Sequence, residues 1–238
     1  MHEGRGCGTL ADGEGSMHKR VKGVVSTILN ARFSALFFTI ILLLLLRPFL
    51  AGATGLNIVT DIFLWAILIS CVWAVHEKRK NQGIVLSVAI VAILTDLLDF
   101  LLRNAVTSWV SKVAGVLFFA YAVVAILVYL AREEEVTADM IMASASEYVL
   151  IGILFAFLYI LVEAAYPGSF SFSGGAADRP GLLYFSIVTL TTTGYGDVLP
   201  VSPQARSLAT LEALTGQLYI AITVARLVSL YTVQRKKH

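Results

Sequence analysis

Charge is scarce in this chain. Only 14% of its 238 residues are Asp, Glu, Lys or Arg, where a soluble domain averages about 25%. With 58% hydrophobic residues as well, there is too little charge for the exterior of an ordinary water-soluble fold, and that class is excluded. Cysteine is nearly absent. Cys7 sits in a glycine-rich tail and Cys71 in an apolar run far from it, which argues against a disulfide framework and against a cysteine metal site. There is no His-Glu metal pair, no serine nucleophile motif and no phosphate-binding glycine loop, so no enzyme chemistry is legible. No internal repeat is evident either.

What the chain has is long apolar runs, with a mean hydropathy of +0.80. They cover about 33–50, 58–75, 83–102, 113–131, 148–165 and 206–231, each near the ~20 residues a spanning helix needs. The first resembles a signal segment, because Ala51-Gly52-Ala53 looks like a cleavage site. It begins too far from Met1 and contains Arg47-Pro48, so it reads as a retained helix. The expectation is an all-α membrane protein with six transmembrane helices. Placing the N-terminus inside puts Arg5, Lys19, Arg20, Lys22, Arg32, Lys78, Arg79, Lys80, Arg132, Arg235, Lys236 and Lys237 on the cytoplasmic side. Only Arg47, Arg103, Lys112, Arg179 and Arg206 fall outside. The positive-inside rule therefore predicts cytoplasmic termini.

Between the last two runs lies Thr191-Thr192-Thr193-Gly194-Tyr195-Gly196-Asp197. Backbone this polar and glycine-rich survives at membrane depth only where protein buries it or where it lines a water-filled path. It carries no charge before Asp197, so its ligands are main-chain carbonyls and threonine hydroxyls, the groups that can replace the hydration shell of an alkali cation. Residues 180–191 predict a short helix opened by Asp178, Arg179 and Pro180, proline being suited to a first turn. The negative end of its dipole would then face the membrane centre.

The run Tyr184-Phe185-Ser186-Ile187-Val188-Thr189-Leu190 followed by 191–197 resembles the pore helix and filter of the tetrameric potassium channels, six-helix type with one pore loop. The likeness is specific at 184–197, looser over about 148–231, and rests on helix count and order before that. It implies a four-fold symmetric tetramer with a re-entrant pore helix and selectivity filter. The division expected is a cytoplasmic tail at 1–32, a four-helix voltage-sensor-like domain at 33–131 and a cytoplasmic linker helix at 132–147. A pore domain at 148–231 and a short basic tail at 232–238 follow. K+ would be coordinated by Thr192, Thr193, Gly194 and Tyr195, with Gly196 completing the filter. Asp197 would sit at the outer mouth, braced by a hydrogen bond from Tyr184, thirteen positions earlier, where relatives carry tryptophan. Thr193 stands where the family has valine or isoleucine. Val188 stands where some two-helix channels have glutamate.

Gly216 is a candidate gating hinge or a close-packing glycine, and Glu212, one turn before it, is expected behind the filter and bonded to protein. Arg226, near the inner end, is expected to snorkel or to pair with Glu133 to Glu135. The fourth helix is uncharged between Lys112 and Arg132, which predicts no strong voltage gating. Asp61, Asp96, Asp99 and Arg103 form a candidate charge cluster, with Asp96 and Asp99 one turn apart on one face.

The reading is passive, potassium-selective permeation. Its rivals are a nonselective cation channel and a non-conducting, channel-like scaffold or regulatory subunit. The partners expected are K+ as permeant ion, membrane lipid, three further copies of the chain and a separate regulatory protein as one source of gating. No other cofactor and no nucleic acid are expected. The plasma membrane is the expected location. The chain stops shortly after the last run, so no cytoplasmic ligand-binding domain is expected.

Overall fold

The computed structural model describes residues 32–50, 66–67, 69–71, 79–102, 104–173 and 178–237. It is all-helical apart from one two-stranded ribbon. In chain order the elements are α1 (Arg32–Leu50), α2 (Arg79–Leu102), α3 (Ala105–Arg132), α4 (Ala138–Ala165), β1 (Phe170–Phe172), α5 (Arg179–Leu190), β2 (Val198–Pro200) and α6 (Pro203–Lys237). Among the described residues, three helices are long and apolar enough to cross a membrane: α3, α4 and α6 through Lys236. Phe33–Leu46 within α1 is a shorter apolar helix. Of the expected second run, residues 66–67 and 69–71 are helical and the remainder lies outside the described residues.

Helix ends follow local chemistry. Asn104 caps α3 by accepting from Val106 N at 3.1 Å, and Thr107 Oγ1 accepts from Asn104 N in return. This cap starts α3 eight residues before the apolar run at 113. Thr137 caps α4 through Met140 N. That cap changes the linker. Residues 138–147, expected to belong to a separate linker helix, form the first turns of α4, and only residues 133–137 join α3 to it. The buried residues Met140, Ala143, Ser144 and Glu147 continue into Leu150 and Ile151 at helical spacing, so the packing face is unbroken.

Five connecting residues reach at most about 17 Å. They hold α3 against α4 of the same chain. Phe119 and Phe157 meet with ring centroids 5.0 Å apart. Gly115 lies under the Phe157 ring, where a Cβ would fall 2.5 Å from Cε1. α1 packs against α4, and its Phe33 stacks on Tyr129 of α3 at 5.0 Å.

The clasp between α3 and α6 differs in its partner from expectation. Arg226 Nη2 donates to the main-chain carbonyls of Ala131 and Glu133 at 2.8 and 2.9 Å, not to the carboxylates of 133–135. A cation at the C-terminal end of α3 meets the negative end of its dipole. Val136 N donates to Gln234 Oε1 at 3.2 Å, which ties the connection to α6 a second time. α6 itself runs to Lys237, so most of the expected basic tail is helix.

Candidate functional site

α5 is held at both ends and along one face. Asp178 caps it by accepting from Gly181 N at 2.7 Å. Its buried face carries Leu182, Leu183, Phe185, Ser186 and Leu190. Phe185 joins Tyr159 of α4 and Phe170 of β1 in a buried three-ring cluster, with centroids between 5.1 and 5.5 Å apart. Aromatic groups at such separations pack edge to face.

Two close approaches set the height of the helix in the fold. Gly152 of α4 backs onto Ile187, where a Cβ would come within 2.8 Å of Cδ1. Gly216 of α6 backs onto the main chain of Leu190, where a Cβ would lie 2.5 Å from the carbonyl oxygen. The candidate hinge glycine therefore sits at a backbone crossing. The same Leu190 carbonyl accepts from Tyr148 Oη at 3.0 Å, so an orphan carbonyl of the α5 C-terminus is satisfied by α4.

Beyond α5 the chain turns back on itself. Thr192 N donates to Thr189 O and Thr193 N to Val188 O, both at 2.9 Å. Thr191 Oγ1 donates to Ile187 O at 2.8 Å. With its proton so used, Thr191 Oγ1 accepts from Thr193 Oγ1 at 2.9 Å. The hydroxyl that replaces valine at 193 is thus spent on the end of α5.

Backbone hand alternates along the stretch. Thr192, Gly194 and Gly196 have φ of 55°, 57° and 79°, while Thr193 and Tyr195 between them lie at negative φ. In an extended strand successive carbonyls point to opposite sides. Reversing the hand at every second residue cancels that alternation and turns successive carbonyls to one side. Glycine adopts positive φ without steric cost. Thr192 does not: a β-branched residue there is strained, at about 1–3 kcal/mol. It is the one non-glycine residue with positive φ among the described residues, and the paired main-chain bonds to α5 hold it. A one-sided row of carbonyls is what a dehydrated cation requires of a filter.

Residues 147–233 match the ion-channel family model.

This channel-like segment has several curated relatives. Inward rectifier potassium channel Kirbac3.1 of Paramagnetospirillum magnetotacticum is 35% identical over 89 residues, which is 36% of this chain and 27% of that protein. Two pore potassium channel c of Oryza sativa subsp. japonica is 36% identical over 95 residues, 36% of this chain and 21% of the relative. Potassium voltage-gated channel subfamily A member 10 of Homo sapiens is 42% identical over 50 residues, 21% of this chain and 10% of the relative. The chain therefore spans well under half the length of the relatives it matches. No solved structure matches it. The family and these relatives are ion channels, which are not enzymes.

The remaining residues of the segment surround residues 191–197. Tyr195 lies parallel to Tyr184, with ring centroids 6.5 Å apart and planes 4° apart. The Tyr184 hydroxyl lies within electrostatic reach of Asp197, the residue with which the resemblance pairs it. Asp197 is also tied through its main chain, where its carbonyl accepts from Ser173 N at 3.0 Å and from Ser173 Oγ at 2.9 Å. β1 and β2 pair antiparallel just beyond it, Phe172 opposite Val198. Gln217 Nε2 donates to Thr192 Oγ1 at 3.4 Å from α6.

Glu212 is fully buried behind α5 and contacts the hydroxyls of Tyr159 and Ser186. The sequence pointed to Glu212 but not to Ser186, Tyr159, Gly152 or Ser173. Ser186 had one signal, a hydroxyl on an otherwise apolar buried face.

The charge cluster is brought together only in part. Asp96 accepts from Ser111 Oγ at 3.1 Å and Asp99 from Thr107 Oγ1 at 3.2 Å. Lys112 lies within electrostatic reach of Asp99 and of Arg179, at the start of α5. These contacts bind α2 to α3. Asp61 and Arg103 lie outside the described residues.

Proposed function

We propose that four copies of this chain form a potassium-selective channel through which K+ moves passively down its gradient. The observation that carries the reading is the alternation of backbone hand at Thr192, Gly194 and Gly196. The carbonyls of Thr192, Thr193, Gly194 and Tyr195, with the Thr192 hydroxyl innermost, would supply the ion's ligands. The C-terminal end of α5 would add its partial negative charge. One chain has one such stretch, and residues 191–197 are all exposed in it. Polar, non-helical backbone at membrane depth needs protein around it, and further copies meeting at α6 would provide that.

On this reading the peripheral helices complete a six-helix subunit with both termini in the cytoplasm, at the plasma membrane. The uncharged run of α3 between Lys112 and Arg132 leaves the channel without strong voltage gating. Asp197 concentrates cations at the mouth.

The test is cation flux from liposomes holding the purified full-length chain, under opposed K+ and Na+ gradients, with Gly194→Ala alongside. K+ flux that barium blocks and Gly194→Ala removes is the expected result. Equal Na+ and K+ flux would refute selectivity and favour the nonselective reading. Flux through neither would favour the scaffold.

A further inference from the structure

The three buried groups Tyr159, Ser186 and Glu212 are each 0% exposed. Tyr159 Oη contacts Glu212 Oε2, and Ser186 Oγ contacts Glu212 Oε1. Ser186 Oγ also lies 2.5 Å from Gly152 O. Three hydrogen bonds need three protons. Tyr159 supplies one and Ser186 one, while a main-chain carbonyl and an ionised carboxylate supply none.

We propose that Glu212 carries the third proton and acts as a positioning residue, a neutral acid that staples α5 between α4 and α6. Glu212 donates from Oε1 to Ser186 Oγ, Ser186 donates to Gly152 O, and Tyr159 donates to Oε2. The chain of bonds joins all three helices behind the filter. It lies where Gly152 meets the Ile187 side chain and one turn before Gly216 meets the Leu190 backbone. Its hydrogen-bond partners among the described residues are two hydroxyls, and none is basic. The groups facing it are Tyr159 and Tyr148 of α4 and Ser186 of α5. An ionised carboxylate would stand there uncompensated at membrane depth.

The functional consequence rests on the channel reading, and the proton does not. Glu212→Gln places an N–H where the acid has its O–H and keeps the carbonyl for Tyr159, so it preserves the pattern at every pH. Glu212→Ala breaks it. The full-length protein in liposomes is examined by infrared spectroscopy and by K+ flux. The expected results are a protonated-acid carbonyl band at neutral pH that loses intensity in Glu212→Gln, and flux retained in that variant. Flux falls about ten-fold or more in Glu212→Ala, the order expected when buried polar groups lose a partner. Raising the pH until the acid band disappears lowers wild-type flux and leaves Glu212→Gln flux unchanged. A neutral-pH infrared spectrum that Glu212→Gln does not alter overturns the proposal, even where Glu212→Ala fails to fold. Absence of K+ flux in the wild type would sink the channel reading instead, and the infrared result would still decide where the proton sits.

Discussion

Gly216→Ala separates two roles that are usually assigned to the same glycine. An added Cβ would lie 2.5 Å from Leu190 O, 3.0 Å from Leu190 Cδ1 and 3.3 Å from Leu190 C. The Cδ1 contact can be relieved by a rotamer change, but the carbonyl cannot move freely. It belongs to the last turn of α5 and already accepts from Tyr148 Oη. α5 and α6 must part by roughly half an ångström before the methyl fits, and overpacking of this kind costs about 1–3 kcal/mol. For a chain of this size that corresponds to a fall in melting midpoint of about 2–12 °C.

If Gly216 served only as a hinge, the sign would reverse. Alanine is favoured over glycine in a helix by about 1 kcal/mol, and removing glycine also lowers the entropy of the unfolded chain. Thermal denaturation of the detergent-solubilised protein, followed by loss of its monodisperse peak, reads the sign directly. A midpoint that is unchanged or raised in Gly216→Ala would refute the close-packing argument.

Two further expectations are simpler to state. Tyr184→Phe removes the hydroxyl within electrostatic reach of Asp197 while keeping the ring stacked on Tyr195. K+ flux should therefore start normally and decay faster than in the wild type, and an unchanged time course would show that the hydroxyl braces nothing. Glu147 is fully buried, and among the described residues neither of its carboxyl oxygens has a hydrogen-bond partner. Glu147→Met should raise stability by about 1–3 kcal/mol, because replacing an unsatisfied polar group removes its desolvation cost; a lowered melting midpoint would mean that the carboxyl is serving a bond in the working protein.

The backbone form of residues 192–196 was partly legible because its constraints are local. Positive φ at 194 and 196 demands glycine, and a polar run between two apolar ones has few places to go. Helix α5 was legible for the same reason, since Asp178 and Pro180 announce its start within one turn. The nearness of Tyr184 to Asp197 was implied by the resemblance, thirteen positions apart. Thr192 was not anticipated as a left-handed residue. Nothing in its side chain favours that conformation, and it is held by main-chain bonds to Thr189 and by the neighbouring bond to Val188.

The linker shows where sequence alone falls short. A separate linker helix was expected at 132–147. Its boundary was instead decided by the Thr137 cap and by a buried face that continues through Glu147 into α4. Similarly, the carboxylates at 133–135 looked like partners for Arg226, yet its guanidinium found the carbonyls at the end of α3.

Composition and local chemistry were enough for a membrane protein of apolar helices with a polar, carbonyl-rich turn set between two of them. Both follow from hydrophobicity and from the steric freedom of glycine, properties each residue carries with it. Tertiary packing was needed for the rest. Glu212 meets Ser186 and Tyr159 across 26 and 53 residues of chain, and Gly216 meets the Leu190 carbonyl only because α5 and α6 cross there. Such contacts depend on how helices are placed in space, and no short window of sequence encodes that placement.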